Sequence, residues 1–213
     1  MALPGSAPVR ALSAKAMADA RAAGARIVQM VWDDLLPRQV LTPGAFVNAV
    51  RAVLAVGGSV NCVKHLQATA TEAGLDVDVY RLFEQCADTT PVLAALRPVG
   101  ERLIEEFEDA GGARGLMKQL EPLLDTSVLT VTGRTLAENL NGVQVGDAEV
   151  IRPLANPVAT RPAIVVLRGN LCPDTGIVKA GIAERKTRRF SGPAICFDTS
   201  DAALAALKEG RIR

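Results

Sequence analysis

Apolar residues recur at helical spacing through most of the first 125 positions. From position 14 to about 32, Met17, Ala20, Ile27, Val28 and Val31 share one side of a predicted helix that Ser13 is placed to cap. Gly24 is either an interior glycine, unfavourable in a helix, or a break. Asp33, Asp34, Leu35, Leu36 and Pro37 close this element, and Thr42-Pro43 reads as a cap followed by proline at the first helical position. Phe46, Val47, Val50, Val53 and Leu54 form the next stripe, which ends at Gly57 and Gly58.

Ser59 is then predicted to cap a helix whose Val60, Val63, Leu66 and Ala70 face inward, leaving Asn61, Lys64, Thr71 and Glu72 elsewhere on the cylinder. Gly74 stops it as a C′ glycine. Asp78 caps a short helix through Leu82 and Phe83 to Ala87; Thr90-Pro91 begins another turn that Pro98 interrupts. Positions 100–110 carry Leu103, Ile104 and Phe107 on one face, with Gly111 and Gly112 as terminators, and 115–124 gives one more short helix. Glu101, Glu105, Glu106 and Glu108 read as a solvated face.

Near Asp125 the period changes. Positions 127–132 alternate and are β-branched, and 150–154, 163–167, 177–180 and 193–197 read as further short strands. A capped turn at 135–140 and a helix over 201–209, capped by Ser200 and ended by Gly210, complete this part. The pattern predicts an α+β chain with residues 1–125 mostly helical and 126–213 a β-rich, incomplete domain resembling the start of a barrel or sandwich. The strands are too few to close a sheet, and both ends look cut.

Composition narrows the function classes. Hydrophobic residues make up 49% of the 213 and aromatics 3%, so the core is built from Ala, Val and Leu. A formal net charge of +1 gives no steering toward nucleic acid or an anionic membrane, and no apolar run is long enough to span a bilayer. No basic segment followed by an apolar stretch opens the chain, which predicts a cytoplasmic protein. Cys62, Cys86, Cys172 and Cys196 are dispersed, with no C-x-x-C pair and a single histidine, His65. That spacing argues against a zinc site within the chain and for buried, inert thiols.

The stretch from Gly57 to Leu75 is the one place where chemistry concentrates: a diglycine, a cap, the histidine and two free polar side chains at one helix entrance. Such an entrance lets an anion or cofactor approach backbone amides; the other reading is an ordinary corner between helices.

Several segments in order carry a resemblance: MALPGSAPV, WDDLLPRQVLTP, GGSVNCVKHL, PVLAALRPVG, LTVTGRTLAENL, VIRPLANP, VVLRGNLCPDTGIVK and GPAICFDTSDAALAAL. Together the chain resembles the middle of the dehydratase family that includes dihydroxy-acid dehydratase, 6-phosphogluconate dehydratase and the sugar-acid dehydratases. The resemblance implies a hydro-lyase that removes water from a 2,3-dihydroxy acid to give a 2-oxo acid, with an iron–sulfur cluster and a magnesium ion. It also implies an α/β N-terminal domain, whose helical end would be residues 1–125, and a β-barrel-like swivelling C-terminal domain beginning at 126.

In that chemistry a Lewis-acidic iron accepts the poor hydroxyl leaving group, while magnesium grips the carboxylate and acidifies the C2 proton. The resemblance places the cluster and magnesium ligands upstream, with a Cys-Asp-Lys motif, and a serine base downstream in Asp-Gly-Arg-x-Ser-Gly; neither motif occurs here. No catalytic or metal-ligating residue is therefore assigned, and no cofactor is expected on this chain alone. Gly57, Gly58, Ser59 and Asn61 match the family's Gly-Gly-Ser-Thr-Asn, with Val60 replacing threonine, so Ser59 and Asn61 are the candidate substrate-binding residues. His65 reads as a hydrogen-bonded helix histidine, and Thr132, Gly133, Arg134 and Thr135 as a capping or interdomain element.

Trp32-Asp33-Asp34 resembles the sugar-acid branch, pointing to acids such as arabinonate, xylonate or 6-phosphogluconate alongside dihydroxyisovalerate. The implied partners are that small-molecule acid and, in the complete enzyme, further copies in a homo-oligomer; nucleic acid and membrane are not among them. The alternative is a noncatalytic module that pairs with a dehydratase subunit. Open sheet edges and uncovered apolar stripes are expected to make the isolated chain self-associate.

Overall fold

The computed structural model describes residues 3–179 and 191–212. The chain forms two compact units, Met1–Ala183 and Glu184–Arg213. The first unit contains helices α1 (Ala14–Trp32), α2 (Pro37–Val40), α3 (Pro43–Ala55), α4 (Asn61–Glu72), α5 (Val79–Ala87), α6 (Ile104–Asp109), α7 (Gly112–Leu120) and α8 (Leu136–Leu140). Strands β1 (Ile164–Leu167) and β2 (Gly176–Lys179) follow, and the second unit holds α9 (Ser200–Lys208). The protein is α+β with a helical first half, and no closed barrel forms among the described residues.

Side-chain caps set most helix starts. The hydroxyl of Ser13 accepts from the Ala16 amide, that of Thr42 from Ala45, and the Asp78 carboxylate from Arg81. Thr135 and Glu138 form a full capping box on α8. Gly74, at φ +69°, ends α4 with its amide on the Thr71 carbonyl and the Leu75 amide on Ala70, a Schellman closure. In the second unit Thr199, one residue before the predicted Ser200, caps α9 by accepting from the Ala202 amide.

Two clusters form most of the core. Phe46, Val50 and Leu54 of α3 meet Val63 and Ala70 of α4, Val79, Phe83 and Cys86 of α5, and Ile164 of β1. On the far side of α3, Ala55 joins Leu93, Ala94, Phe107, Ala110, Leu116, Leu120, Val150 and Ile151. α3 is thus the shared wall between both clusters. Each of its faces is apolar enough to bury, which the single predicted stripe understated.

The sheet is one antiparallel pair, with Ile164 opposite Lys179 and Leu167 opposite Gly176. β1 and β2 match the predicted strands 163–167 and 177–180, save Ala180, which lies outside the described residues. Three other predicted strands are not formed. In 127–132 the threonine hydroxyls bond locally, Thr130 to the Arg134 carbonyl at 2.9 Å and to Thr132 at 2.9 Å, so the segment folds into a loop with one bridge from Leu129 to Thr135. In 150–154 the adjacent Val150 and Ile151 are both buried in one cluster, a placement a strand's alternation does not give, and both amides turn onto Asp147. Residues 193–197 have no ladder partner among the described residues, and stay irregular.

The segment after Thr90-Pro91 departs from the predicted turn in the opposite sense. It is extended: the Leu93 and Ala94 amides donate to the Ala55 carbonyl at 2.8 and 3.1 Å, satisfying an acceptor left free at the end of α3. Val92 pairs with Ala159, and the three apolar side chains Val92, Leu93 and Ala94 are fully buried.

Candidate functional site

The corner between α3 and α4 is built on a close approach. Gly57 has φ +57°, and a Cβ there would lie 3.0 Å from Val99 Cγ1 and 3.1 Å from the Ala163 Cβ. Only glycine meets both demands, a left-handed backbone and no side chain. Gly58 does not take positive φ; its amide donates to the Val53 carbonyl at 2.9 Å, closing α3. The Ser59 hydroxyl accepts from the Asn61 amide at 3.2 Å, as a cap should, although Val60 rather than Ser59 stands at the formal N-cap of α4.

Val63 and Ala70 are buried as the spacing predicts, while Val60 and Leu66 are half-buried. Ser59 and Asn61 are both exposed. Because its oxygen accepts from an amide, the Ser59 hydroxyl retains its proton for donation. The Asn61 side chain makes no hydrogen bond among the described residues, so this entrance presents one hydroxyl donor and one amide side by side.

Other residues singled out by sequence lie apart from it or are otherwise engaged. His65 is exposed and borders an open hollow of about 570 Å³ with Arg38, Thr69 and Glu72. Its carbonyl accepts from the Thr69 hydroxyl at 2.8 Å. Asp33 is held by Gln29 at 2.7 Å and Arg26 at 2.9 Å, which lower its pKa in that order, while Trp32 is exposed. Arg26 also donates to the Val131 carbonyl at 2.6 Å, tying α1 to the Thr132–Thr135 loop. Within that loop Asn139 Nδ2 reaches Thr130 at 2.7 Å, Thr132 at 3.1 Å and the Thr135 carbonyl at 3.0 Å.

The cysteines divide, which corrects the expectation that all four are buried. Cys86 is buried, Cys62 half-buried, and Cys172 and Cys196 are exposed. Burial raises the Cys86 thiol pKa, only partly offset by Arg51. Cys172 lies in the β1–β2 connection, where its sulfur contacts the Thr175 carbonyl at 2.9 Å; a turn has no interior in which to hide it. Among the described residues no three His, Cys, Asp or Glu side chains converge as a metal-ligand set.

One feature gave no sequence signal. A cavity of about 360 Å³ opens between the N-terminal segment, α3, α7 and the 128–140 loop, lined by Ala52, Met117, Val128, Val131 and Leu136 among others. Its walls come from four separate stretches, so no local pattern marks it. Asn48 is its buried polar member, and both of its polar atoms are engaged: Nδ2 donates to the Asp125 carbonyl at 2.8 Å and Oδ1 accepts from the Asp125 amide at 2.9 Å. Neither Ser59 nor Asn61 lines this cavity.

Several exposed carboxylates are held below their ordinary range: Glu138 by the Thr135 amide and then its hydroxyl, Glu106 by the Leu103 amide and then Arg102, and Asp109 by Arg10. Each pKa is lower in the folded chain than in the unfolded one. The resulting stabilisation is complete above about pH 4 to 5 and lost as pH falls through the folded values. Acidification from about pH 6 to about pH 3 is therefore expected to lower the melting temperature, with a shallower fall in Glu138→Gln. Equal acid slopes in the two proteins would show that the capping carboxylate contributes nothing.

Residues 1–139 match the family described as dihydroxy-acid/6-phosphogluconate dehydratase, N-terminal, and residues 149–213 its C-terminal counterpart. The dihydroxy-acid dehydratase of Pelobacter propionicus is 43% identical over 214 residues, covering 100% of this chain and 38% of that protein. That of Methanococcoides burtonii is 39% identical over 217 residues, covering 100% and 39%, and that of Geobacter sulfurreducens 42% identical over 212, covering 100% and 38%. The chain spans about two fifths of the length of these curated relatives. No helix among the described residues is long and apolar enough to cross a membrane. With both halves matched in order and identity near two fifths along its full length, this chain belongs to the dihydroxy-acid/6-phosphogluconate dehydratase family.

Proposed function

We propose that the chain is the scaffold and part of the substrate-facing wall of a hydro-lyase that converts a 2,3-dihydroxy acid to a 2-oxo acid. The observation that carries this is the end-to-end match to dihydroxy-acid dehydratases. The leaving-group, magnesium and base functions belong, in this reading, to residues outside the chain, because the Cys-Asp-Lys and Asp-Gly-Arg-x-Ser-Gly motifs that carry them in the family do not occur in this sequence. The complete enzyme would carry an iron–sulfur cluster and magnesium and act as a homo-oligomer in the cytoplasm.

Ser59 and Asn61 are the proposed substrate contacts. Support comes from their shared exposure at one helix entrance, where a hydroxyl donor and an amide suit the carboxylate and hydroxyls of the acid. The substrate is a dihydroxy acid, as in the relatives' names, and the proposed range runs from dihydroxyisovalerate to the sugar acids favoured by Trp32-Asp33-Asp34.

The test offers 2,3-dihydroxyisovalerate, L-arabinonate, D-xylonate and 6-phosphogluconate to the anaerobically iron–sulfur-reconstituted chain with magnesium, reading iron content and 2-oxo acid. Neither iron nor product is expected. Bound iron with turnover would overturn the assignment of the chemistry to residues elsewhere. Ser59→Ala is expected to lower stability by no more than about 1 kcal/mol. Transplanted into a complete dehydratase of the family, the same change should instead raise KM for the acid. Unchanged kinetics there would reduce Ser59 to a cap.

A further inference from the structure

We propose that the cavity between α3, α7 and the 128–140 loop is a binding site for a small aliphatic monocarboxylate, with the Arg114 guanidinium receiving the carboxylate and the apolar walls taking the carbon chain. The space exists because α3 sets alanines against it. Ala45, Ala49 and Ala52 recur at helical spacing on one side of that helix, and each lines the cavity. Larger side chains there would close it. At about 360 Å³ it falls near the lower end of the roughly 300–1,000 Å³ typical of small-molecule sites. Ser59 and Asn61 do not line it, and the proposal does not depend on the dehydratase reading.

The polar groups of the wall select the class of ligand. Asn48 spends both of its polar atoms on Asp125. The Thr130 hydroxyl donates to the Arg134 carbonyl and accepts from Asn139, whose own side-chain oxygen accepts from the Thr132 hydroxyl at 3.2 Å. Arg114 differs. Its Nε and Nη2 donate to the Asn139 carbonyl at 3.1 and 2.8 Å, while Nη1 makes no hydrogen bond among the described residues. Nη2 carries a second hydrogen, so the Nη1–Nη2 edge of the fork is open and matches a carboxylate in bidentate geometry.

Charge narrows the choice further. Arg114 is half-buried, and among the described residues it is the one charged side chain that lines the cavity; no carboxylate faces it there. A single cation is balanced by a single negative charge. A dianion, or the ammonium of a zwitterion, would bring in a charge without a partner, which is costly in an apolar site. Hydroxyls along the ligand would give up their bonds to water and meet carbon instead. The walls therefore suit an unsubstituted alkyl carboxylate and reject a 2,3-dihydroxy acid. Water is a poor occupant for the same reason, since an apolar cavity offers it few partners.

The test titrates the full chain by calorimetry with octanoate, hexanoate, octanol and 2,3-dihydroxyisovalerate. Octanoate is expected to bind with a Kd on the order of 0.1 mM. Hexanoate should bind about tenfold to twentyfold more weakly, each methylene being worth about a factor of four. Octanol, with the same chain and no charge, should be weaker than octanoate by about tenfold or more. Methyl NMR locates the ligand: the Met117 methyl, in the cavity wall, should shift with octanoate, and that of Met17, exposed on α1, should not.

Two variants separate the charge from the space. Arg114→Met should reduce octanoate to the affinity of octanol. Because Arg114 also ties α7 to Asn139, Ala49→Phe is the independent variant; it leaves that tie in place, fills the cavity from α3, and should abolish binding while the chain still melts cooperatively.

No binding up to about 10 mM octanoate, with the cavity a seat for other segments of a longer dehydratase, overturns the proposal. So does binding that leaves the Met117 methyl unmoved or that persists undiminished in Ala49→Phe. Equal affinity for octanol and octanoate, or an unchanged preference in Arg114→Met, overturns the carboxylate class.

Discussion

Phe83→Ala is expected to remove about 3 to 5 kcal/mol of stability, a large share of the whole for a chain of this size. Phe83 is 1% exposed, and it is the largest side chain buried to that degree. It lies on α5 within the cluster that joins α3, α4 and β1, so the space left by the ring is walled by four packed elements, two of them (α3 and α5) fixed by side-chain caps, and cannot collapse freely. The loss then combines transfer free energy with a persistent cavity. Urea unfolding, read as a midpoint shift at constant slope, measures it.

Cys86 gives a second readout in the same variant. Its thiol sits in that cluster, where burial raises its pKa, so it should react slowly in the parent and much faster once the cluster loosens. A loss below about 1 kcal/mol, with Cys86 still protected, would mean that the cluster is not the cooperative centre of the first unit.

Gly57→Val is expected to cost about 2 to 5 kcal/mol, from two sources that can be separated. A β-branched residue at φ +57° is strained by about 1 to 2 kcal/mol. The added carbon would also press on both Val99 methyls, at 3.0 and 3.3 Å, and on the Ala163 Cβ at 3.1 Å, and overpacking of this kind costs about 1 to 3 kcal/mol. Val99→Ala should relieve the Val99 share of the second part and leave the Ala163 contact and the backbone strain, so the two changes together should cost less than their sum. Strict additivity would place the whole penalty in the backbone and the Ala163 contact. A Gly57→Val protein as stable as the parent would remove the physical reason given for the diglycine corner.

This corner also shows how far local sequence reaches. The diglycine, the serine and the C′ glycine at 74 were all legible, because a positive φ and an amide without a partner are local demands with few residue solutions. What the corner packs against was not. Val99 and Ala163 come from segments some forty and a hundred positions away, and nothing near Gly57 announces them. The cavity beside Asn48 and the bidentate grip of Asn48 on Asp125 were invisible for the same reason.

The predicted strands divide along the same line. β1 and β2 were found because each supplies the other's ladder across a short connection. Residues 127–132 have the same β-branched alternation, yet their threonines find closer partners in Arg134, Asn139 and one another, and the ladder never forms. Strand propensity describes a surface that awaits a partner, and tertiary structure supplies or withholds it. Burial of the cysteines was decided likewise: composition favours the interior for all four, but Cys172 falls in a turn and only Cys86 reaches the core.

By itself the sequence determined several helix starts and stops, such as the Ser13, Thr42 and Asp78 caps and the Gly74 closure, together with the α+β class and membership in a dehydratase family, since caps, periods and ordered segments are written along the chain. Only the tertiary structure decided that α3 would be buried on both faces, that α1 would keep an apolar face outward, and that Ser59 and Asn61 would stand exposed beside one another. Those outcomes depend on which distant surfaces meet, and burial follows from the sum of such contacts rather than from any residue's own preference.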